Sequence, residues 1–389
     1  MRVKGVAMRI AVIGAGIAGL VAAAGMQADG HEVTVFERRD EPNPAGAGLT
    51  LFNNAFEALD LVGLGDAVRN IARDGITGGS IAVLRRSQGE ATASWLLSVP
   101  VTAAATMRSV HRAALHHELL VHLRPGTVRT GSAALVAADG TPQVTANDRD
   151  EQFDLVVAAD GIRSQNRRLV GLDTGLRYAG YTAWRGVTQR PVSFDLQPGE
   201  IWARGQVFGM VPLLDGRVYW YATRNLPEGQ RASNEYEFVQ QQFATWHAPV
   251  RECIAATAED AVMRHDIYDL AGPLTTFVCG RTVLIGDAAH AMTPNLGQGA
   301  GQGIEDAATL TYLLRDADAG ELDTILARYV QLRKRRTSVV MRRSRAAGAM
   351  AQAEHPFAVG FRNALVRLTP GWVMSATMQR LQRWPSPVR

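Results

Sequence analysis

The sequence predicts a mixed α/β (α+β) fold: a helix-covered parallel sheet, an inserted and mostly antiparallel sheet, and helices at the C-terminal end. Three observations predict it. A strand, glycine turn, helix and second strand follow one another near the start. Two later apolar strands each run into an Asp beside a Gly, at Asp160-Gly161 and Gly286-Asp287. Between Arg177 and Leu270 the apolar residues fall into short alternating runs. A chain of 389 residues is long enough for two domains. Its 47% hydrophobic and 20% charged residues exclude a disordered, collagenous or disulfide-scaffold class. Cys253 and Cys279 are the only cysteines, which argues against a disulfide framework or a Cys-rich zinc site and fits a reducing, cytoplasmic setting.

RIAVIGAGIAGLVAAAGMQADGHEVTVFE reads as a strand over Arg9–Ile13, a helix over Ile17–Ala28 and a strand over Glu32–Phe36. Gly14 permits the tight turn, Gly16 lets the backbone approach a pyrophosphate, and Gly19 brings helix against sheet. Glu37 closes the second strand where an acid accepts hydrogen bonds from ribose hydroxyls, and Arg38 beside it joins the candidate nucleotide contacts. This is a Rossmann-like dinucleotide unit. Its basic start and apolar run outline a signal peptide, but Gly14, Gly16 and Gly19 break the run, which is also too short and glycine-rich to span a bilayer. The unit does not separate NAD from FAD. After Arg39, DEPNPAGAGLTLFNN replaces the third strand of a plain NAD domain with a Pro- and Gly-rich connection, where a planar group could approach Gly46, Gly48 and Thr50.

Strands over Phe153–Ala159 and Thr282–Ile285 deliver Asp160 and Gly286-Asp287 to the carboxyl ends of a sheet, the edge at which open α/β sheets bind ligands. An isolated Asp-Gly reads equally well as an Asx turn or a cap. In GDAAHAMTPNLGQGAGQGIEDA, glycines 297, 299, 301 and 303 occupy alternate positions. The loop Pro294-Asn295-Leu296-Gly297 and the start of a following helix, GIEDAATLTYLLRDA, would point positive partial charge at a flat anionic group such as a reduced flavin.

Gly14-x-Gly16-x-x-Gly19 with Glu37, Asp160-Gly161 and Gly286-Asp287 together resemble the single-component FAD-dependent aromatic hydroxylases, the p-hydroxybenzoate hydroxylase type. The likeness covers nearly the whole chain after Met8 and is nearest the subgroup containing FAD-dependent urate hydroxylase and 6-hydroxynicotinate 3-monooxygenase. It implies that the first motif holds the ADP half of FAD, that the second helps with pyrophosphate and NAD(P)H, and that the third holds ribityl and pyrophosphate. The loop through Pro294, Leu296 and Gly297 would lie beside the isoalloxazine. Arg112 matches the family's flavin-contacting Arg and Thr50 the residue facing the ring, with Arg108 a weaker candidate. The implied chemistry is hydride transfer from NADPH or NADH to FAD, addition of O2 at the flavin C4a to give the hydroperoxide, and hydroxylation of an aromatic or heteroaromatic ring. No side chain is singled out as a catalyst, because the cofactor carries the chemistry, and no second nucleotide fingerprint is required.

On the substrate side, QVFGMVPLLDGRVYWYATRN predicts a hairpin turning at Asp215-Gly216. Tyr219, Tyr221 and Thr223 share one face of it and Val218, Trp220 and Ala222 the other. The resemblance makes Tyr219 a substrate contact. It also places Val207 where the urate enzyme carries a substrate Arg, and Asp215 and Gly301 where the hydroxynicotinate enzyme carries His. Neither of those two substrates is therefore expected, and a larger, more apolar ring is. His290, His265 and His111 are candidate bases, although His290, in the loop after Asp287, reads better as a cap or hydrogen-bonding group, and no HxxH or HxH pair marks a metal site. The Arg-rich run RYVQLRKRRTSVVMRRSR reads as a helix with a solvated basic face rather than a nucleic-acid contact. FRNALVRLTPGWVMSATMQRLQRW is basic and amphipathic, suiting docking on the first domain or a partner subunit, or a membrane surface. The expected division is a discontinuous FAD-binding domain over 1–75, 101–175 and 273–345, a substrate-binding sheet domain over 76–100 and 176–272, and a helical segment over 346–389, in a monomer or homodimer without a membrane span. The alternatives are a flavin epoxidase, an antibiotic-modifying monooxygenase, or a non-catalytic flavin carrier.

Overall fold

Strands Arg9–Ile13, Glu32–Phe36, Leu155–Ala158 and Thr282–Leu284 are short, apolar and buried on both faces, the condition under which strands run parallel beneath helices. The computed structural model, which describes residues 7–41, 47–74, 80–87, 90–97, 107–192 and 199–388, places them in one six-stranded sheet. From one edge the order is Val278–Cys279, Thr282–Leu284, Leu155–Ala158, Arg9–Ile13, Glu32–Phe36 and Val128–Arg129, with only the first pair antiparallel. Ile10 and Val12 point to the face covered by helices Ile17–Ala28 and Gly299–Leu314. Ala11 and Ile13 point to the other, packed on a three-stranded antiparallel sheet over Ala134–Val136, Gln143–Ala146 and Arg149–Gln152. The register pairs Ile13 with Ala158 and Ala158 with Leu284, so all three motif turns leave the sheet at a single edge.

A seven-stranded sheet follows the order Met263–Leu270, Leu176–Val187, Val218–Asn225, Gln206–Pro212, Gly199–Trp202, Ser80–Ser87 and Glu90–Leu97. Every pair in it is antiparallel except Gly199–Trp202 with Ser80–Ser87. The hairpin turns where expected, with Gly216 at φ +81°. One face buries Trp184, Phe208, Trp220 and Ala222 beneath helices Glu235–Phe243 and Ala248–Ala255. The other face carries Arg185, Tyr219 and Tyr221 toward the first sheet's motif edge.

Three expectations need correction. The connection after Arg39 does contain a strand, Gly48–Leu51, paired antiparallel with Arg108–His111; its ladder lies outside both large sheets, which is why it lacks their run of apolar residues. Gly46 lies outside the described residues, as do the boundaries set at 75/76 and 100/101. The helix after the glycine-rich loop starts at Gly299, so Gly301 and Gly303 are helical. The Arg-rich helix, Leu322–Ala351, is not basic only on its solvated side, since Arg333 is 1% exposed; it also runs unbroken past 345/346. Helices Pro356–Leu368 and Gly371–Gln382 complete the chain. Among the described residues no helix is long and apolar enough to cross a membrane.

Candidate active site

The three glycines of the first turn have three different surroundings. Gly14 sits at φ +106°, and a Cβ there would come within 2.5 Å of the Ala159 carbonyl oxygen, so this turn and the Asp160 turn are pressed together. A Cβ on Gly19 would lie 2.1 Å from the Gly14 carbonyl oxygen. A Cβ on Gly16 would meet nothing within 4 Å, leaving its backbone open to a ligand. Ala15 between them is fixed from both sides: its N–H donates to Glu37 Oε2 at 2.9 Å, and its carbonyl accepts from His116 Nε2 at 2.8 Å. The other Glu37 oxygen accepts from the Arg39 N–H at 3.0 Å, while Arg38 is exposed beyond it. His116 was not singled out from the sequence, although it stands one helical turn after Arg112, on the same face.

Asp160 acts on its own turn. Its oxygens accept from Ser164 Oγ at 2.6 Å and from Asn166 Nδ2 at 3.0 Å, which holds the start of helix Gln165–Leu169. What this turn offers the site is backbone, at Gly161 with φ +81° and no heavy atom within 4 Å of a Cβ. Gly286 at φ +60° packs on Ala18, where a Cβ would come within 3.1 Å, and Asp287 beyond it is exposed. The charges of Asp287, Arg185 and Arg39 all reach the Arg112 guanidinium, so the motifs and Arg112 share one concavity.

The alternate glycines divide between open and packed positions. Gly297 ends a 3-10 turn, Pro294–Leu296, in the left-handed conformation at φ +62°. Gly299 has open space, whereas Gly303 packs on Ala18 and on the Gly286 Cα, drawing this helix onto the first. The N-termini of helices Ile17–Ala28 and Gly299–Leu314 carry no side-chain cap. Their uncapped N–H groups and the orphaned Gln298 Nε2 suit an anionic nucleotide.

Beneath this loop lies a buried polar network that the sequence reading missed. Glu305 and Asp306 are 0% exposed. Arg333 bridges them, its Nε donating to Asp306 at 2.6 Å and its Nη1 to Glu305. Arg336, Asn54 and Gln302 also donate to Glu305. Asp306 Oδ2 accepts from the Gly286 N–H at 2.8 Å and pairs with His290 Nε2 at 2.5 Å, so the network sets the third motif turn. Although burial alone would raise both carboxyls, the guanidiniums and His290 hold them below the ordinary carboxylate range. His290 is thus a hydrogen-bonding partner of Asp306, the role expected of it in this loop over that of a base.

Across from the loop stands the second sheet. Tyr219 is 7% exposed and lies against Gly48, where a Cβ would fall 2.5 Å from its ring; Thr50, two residues on, shares that face of its strand. Tyr219 forms an apolar cluster with Ala47, Val187 and Leu213, against which Val211 and Met263 pack. Tyr181 donates to Asn295 Oδ1 at 2.8 Å, tying this wall to the glycine-rich loop at the residue before Leu296. Arg185 pairs in register with Tyr221, and its Nε is buried without a partner. Tyr221 donates to Glu200 Oε1 at 2.6 Å, and burial raises the Glu200 carboxyl. Burial, then the charges of Arg185, Arg112 and Arg264, hold the His265 imidazole below its ordinary value. Val207 does not join Tyr219; it is 3% exposed in a separate cluster with Trp202, Ala351 and Val366, because four residues of strand separate it from the position opposite Tyr219. Arg108 is half-buried over the Phe56 ring and near Asp74, rather than solvated.

A nucleotide-binding sheet edge closed over by a second, aromatic-walled sheet defines a two-domain flavoprotein. The chain belongs to the FAD binding domain family, whose model matches residues 7–344. It is 35% identical to aurachin C monooxygenase/isomerase of Stigmatella aurantiaca, over 97% of this chain and 99% of that protein. It is 34% identical to 2-heptyl-3-hydroxy-4(1H)-quinolone synthase of Pseudomonas aeruginosa, over 96% and 97% of the two chains. The structure of Klebsiella pneumoniae HpxO complexed with FAD and uric acid superposes with a TM-score of 0.84 at 26% identity, covering 96% of each chain. These likenesses place the chain among the FAD-dependent monooxygenases of the aromatic hydroxylase type.

Proposed function

We propose that this enzyme hydroxylates an apolar bicyclic heteroaromatic ring of the quinolone kind, with FAD as resident cofactor and NADPH or NADH and O2 as cosubstrates. The observation that carries the reading is the apolar cluster that Tyr219 forms with Ala47, Val187 and Leu213, flanked by Val211 and Met263. The names of the relatives in aurachin and heptylquinolone chemistry support it.

Gly14, Gly16, Gly19, Glu37, Arg38, Asp160, Gly286 and Asp287 would hold the nucleotide portion of FAD, and Gly48, Thr50, Arg112, Pro294, Leu296 and Gly297 would surround its ring. Bound FAD supplies the redox chemistry and the activation of oxygen. The chain's own residues then bind, orient and exclude water. Tyr219 and its neighbours desolvate the ring; Arg185 offers an unspent donor at Nε; and His265, neutral near pH 7, offers a nitrogen to a ring N–H or hydroxyl. The same reading takes 1–75, 101–175 and 273–345 as the FAD-binding unit and 76–100 and 176–272 as the substrate unit, with the chain acting in the cytoplasm as a monomer or homodimer and binding no nucleic acid.

The test is stimulated NAD(P)H oxidation by the yellow holoprotein, with product mass read for a gain of one oxygen. Alkyl-4-quinolones are expected to stimulate about tenfold or more over urate and p-hydroxybenzoate, the size of effect that an apolar pocket supports. Equal or better turnover of the small anions would overturn the substrate assignment, and absence of oxygenated product from every ring tested would overturn the hydroxylase.

A further inference from the structure

The helix Pro356–Leu368 turns its apolar side outward. Phe357 is 84% exposed, Phe361 71%, Leu365 47% and Leu368 79%, and Trp372, at the start of the next helix, is 74% exposed. The first four stand at successive helical turns on a single face. The opposite face fixes this orientation. Arg362 and Val366 are buried there; the Arg362 guanidinium lies over the Trp202 ring at 5.3 Å and donates to the carbonyls of Ala203 and Ala351 at 3.1 Å. An apolar row on the exposed face of a packed helix marks an interaction surface.

Charge identifies what covers it. From His355 to the end of the chain there is no Asp or Glu, and Arg367, Arg380 and Arg383 are exposed along these two helices. A two-fold contact between copies would set each patch against itself, bringing like charges together with no acid to neutralise them. An anionic bilayer surface takes both halves: the phenyl, leucyl and indole groups enter the acyl boundary, and the guanidiniums meet lipid phosphates. We propose that helices Pro356–Leu368 and Gly371–Gln382 seat this enzyme peripherally on an anionic lipid surface, lying in the plane of the interface, with Phe357, Phe361, Leu368 and Trp372 as its apolar anchors.

The experiment is co-sedimentation of the FAD-loaded enzyme with vesicles of phosphatidylcholine alone or mixed with phosphatidylglycerol. Binding is expected to the mixed vesicles, to be about tenfold weaker on the neutral ones, and to weaken with added salt. F361E/W372E is expected to lose binding by about tenfold or more while keeping its FAD content and substrate-stimulated NAD(P)H oxidation. The milder F357S, at the most exposed anchor, gives a smaller loss in the same direction should the double variant fold poorly. Failure to sediment with either vesicle overturns the proposal, as does wild-type binding by a variant that retains FAD. A concentration-dependent dimer that F361E/W372E dissolves, without vesicle binding, assigns the face to a second copy and equally overturns it.

Discussion

At the scale of single residues, the glycine fingerprint separates folding from binding. Gly14 and Gly19 are enclosed by backbone oxygens at 2.5 and 2.1 Å from a built Cβ, and Gly16 is open. Gly14→Ala or Gly19→Ala is expected to destabilise the apoprotein by about 3 kcal/mol, since the turn must shift to admit the methyl group. Gly16→Ala is expected to cost the apoprotein no more than about 1 kcal/mol as a poorer N-cap, yet to weaken FAD at least about tenfold by holding the pyrophosphate off the backbone. Denaturant unfolding of apoprotein, set beside flavin fluorescence titration, checks the pair. If Gly16→Ala bound FAD normally, the open position would not be the phosphate approach. The close packing of Gly14 and Gly19 was legible from spacing alone, because the strand–turn–helix geometry dictates it. Arg185 and Glu200 carry no such local pattern; only the pairing of strands distant in sequence sets them beside Tyr221.

At the scale of elements, the start of helix Gly299–Leu314 is held from below by ion pairs that cross to helix Leu322–Ala351. Each charge in the Glu305, Asp306 and Arg333 cluster is buried and paired, so removing one partner leaves the others uncompensated, at about 3–5 kcal/mol. Arg333→Met is expected to lose that much stability in urea unfolding and to weaken FAD, because Asp306 also holds the Gly286 N–H. A variant of wild-type stability would show the cluster to be dispensable. The first strand, helix and strand were legible from periodicity to the residue. The strand Gly48–Leu51 was hidden because Pro and Gly surround it and its partner lies far along the chain. Arg333 was hidden because basic residues on a helix are ordinarily solvated, and nothing local reveals two acids buried beneath this one.

At the scale of the whole molecule, three imidazoles contribute to the response to acid. Burial lowers the pKa of His31, His111 and His116 from the ordinary 6.5. In that window the unfolded chain binds protons that the folded chain refuses, so stability rises with pH and falls as pH drops through 6.5. Melting temperature is expected to be level above neutrality and to decline from about pH 7 to 5, with His116→Gln shallower than the parent; an unchanged slope in that variant would remove His116 from the account. The division into two sheets could be read from the switch between continuous and alternating apolar runs, but their mutual placement could not, because it rests on single contacts such as Tyr219 on Gly48 and Tyr181 on Asn295. The anchoring of the Gly286 turn by Arg333 through Asp306 also bears on biosynthesis. While the ribosome is still making the second half of the polypeptide, the first turn can fold, but its nucleotide seat lacks a side. Flavin capture is therefore expected only late in synthesis, after the long helix has emerged and Arg333 can pair with Asp306.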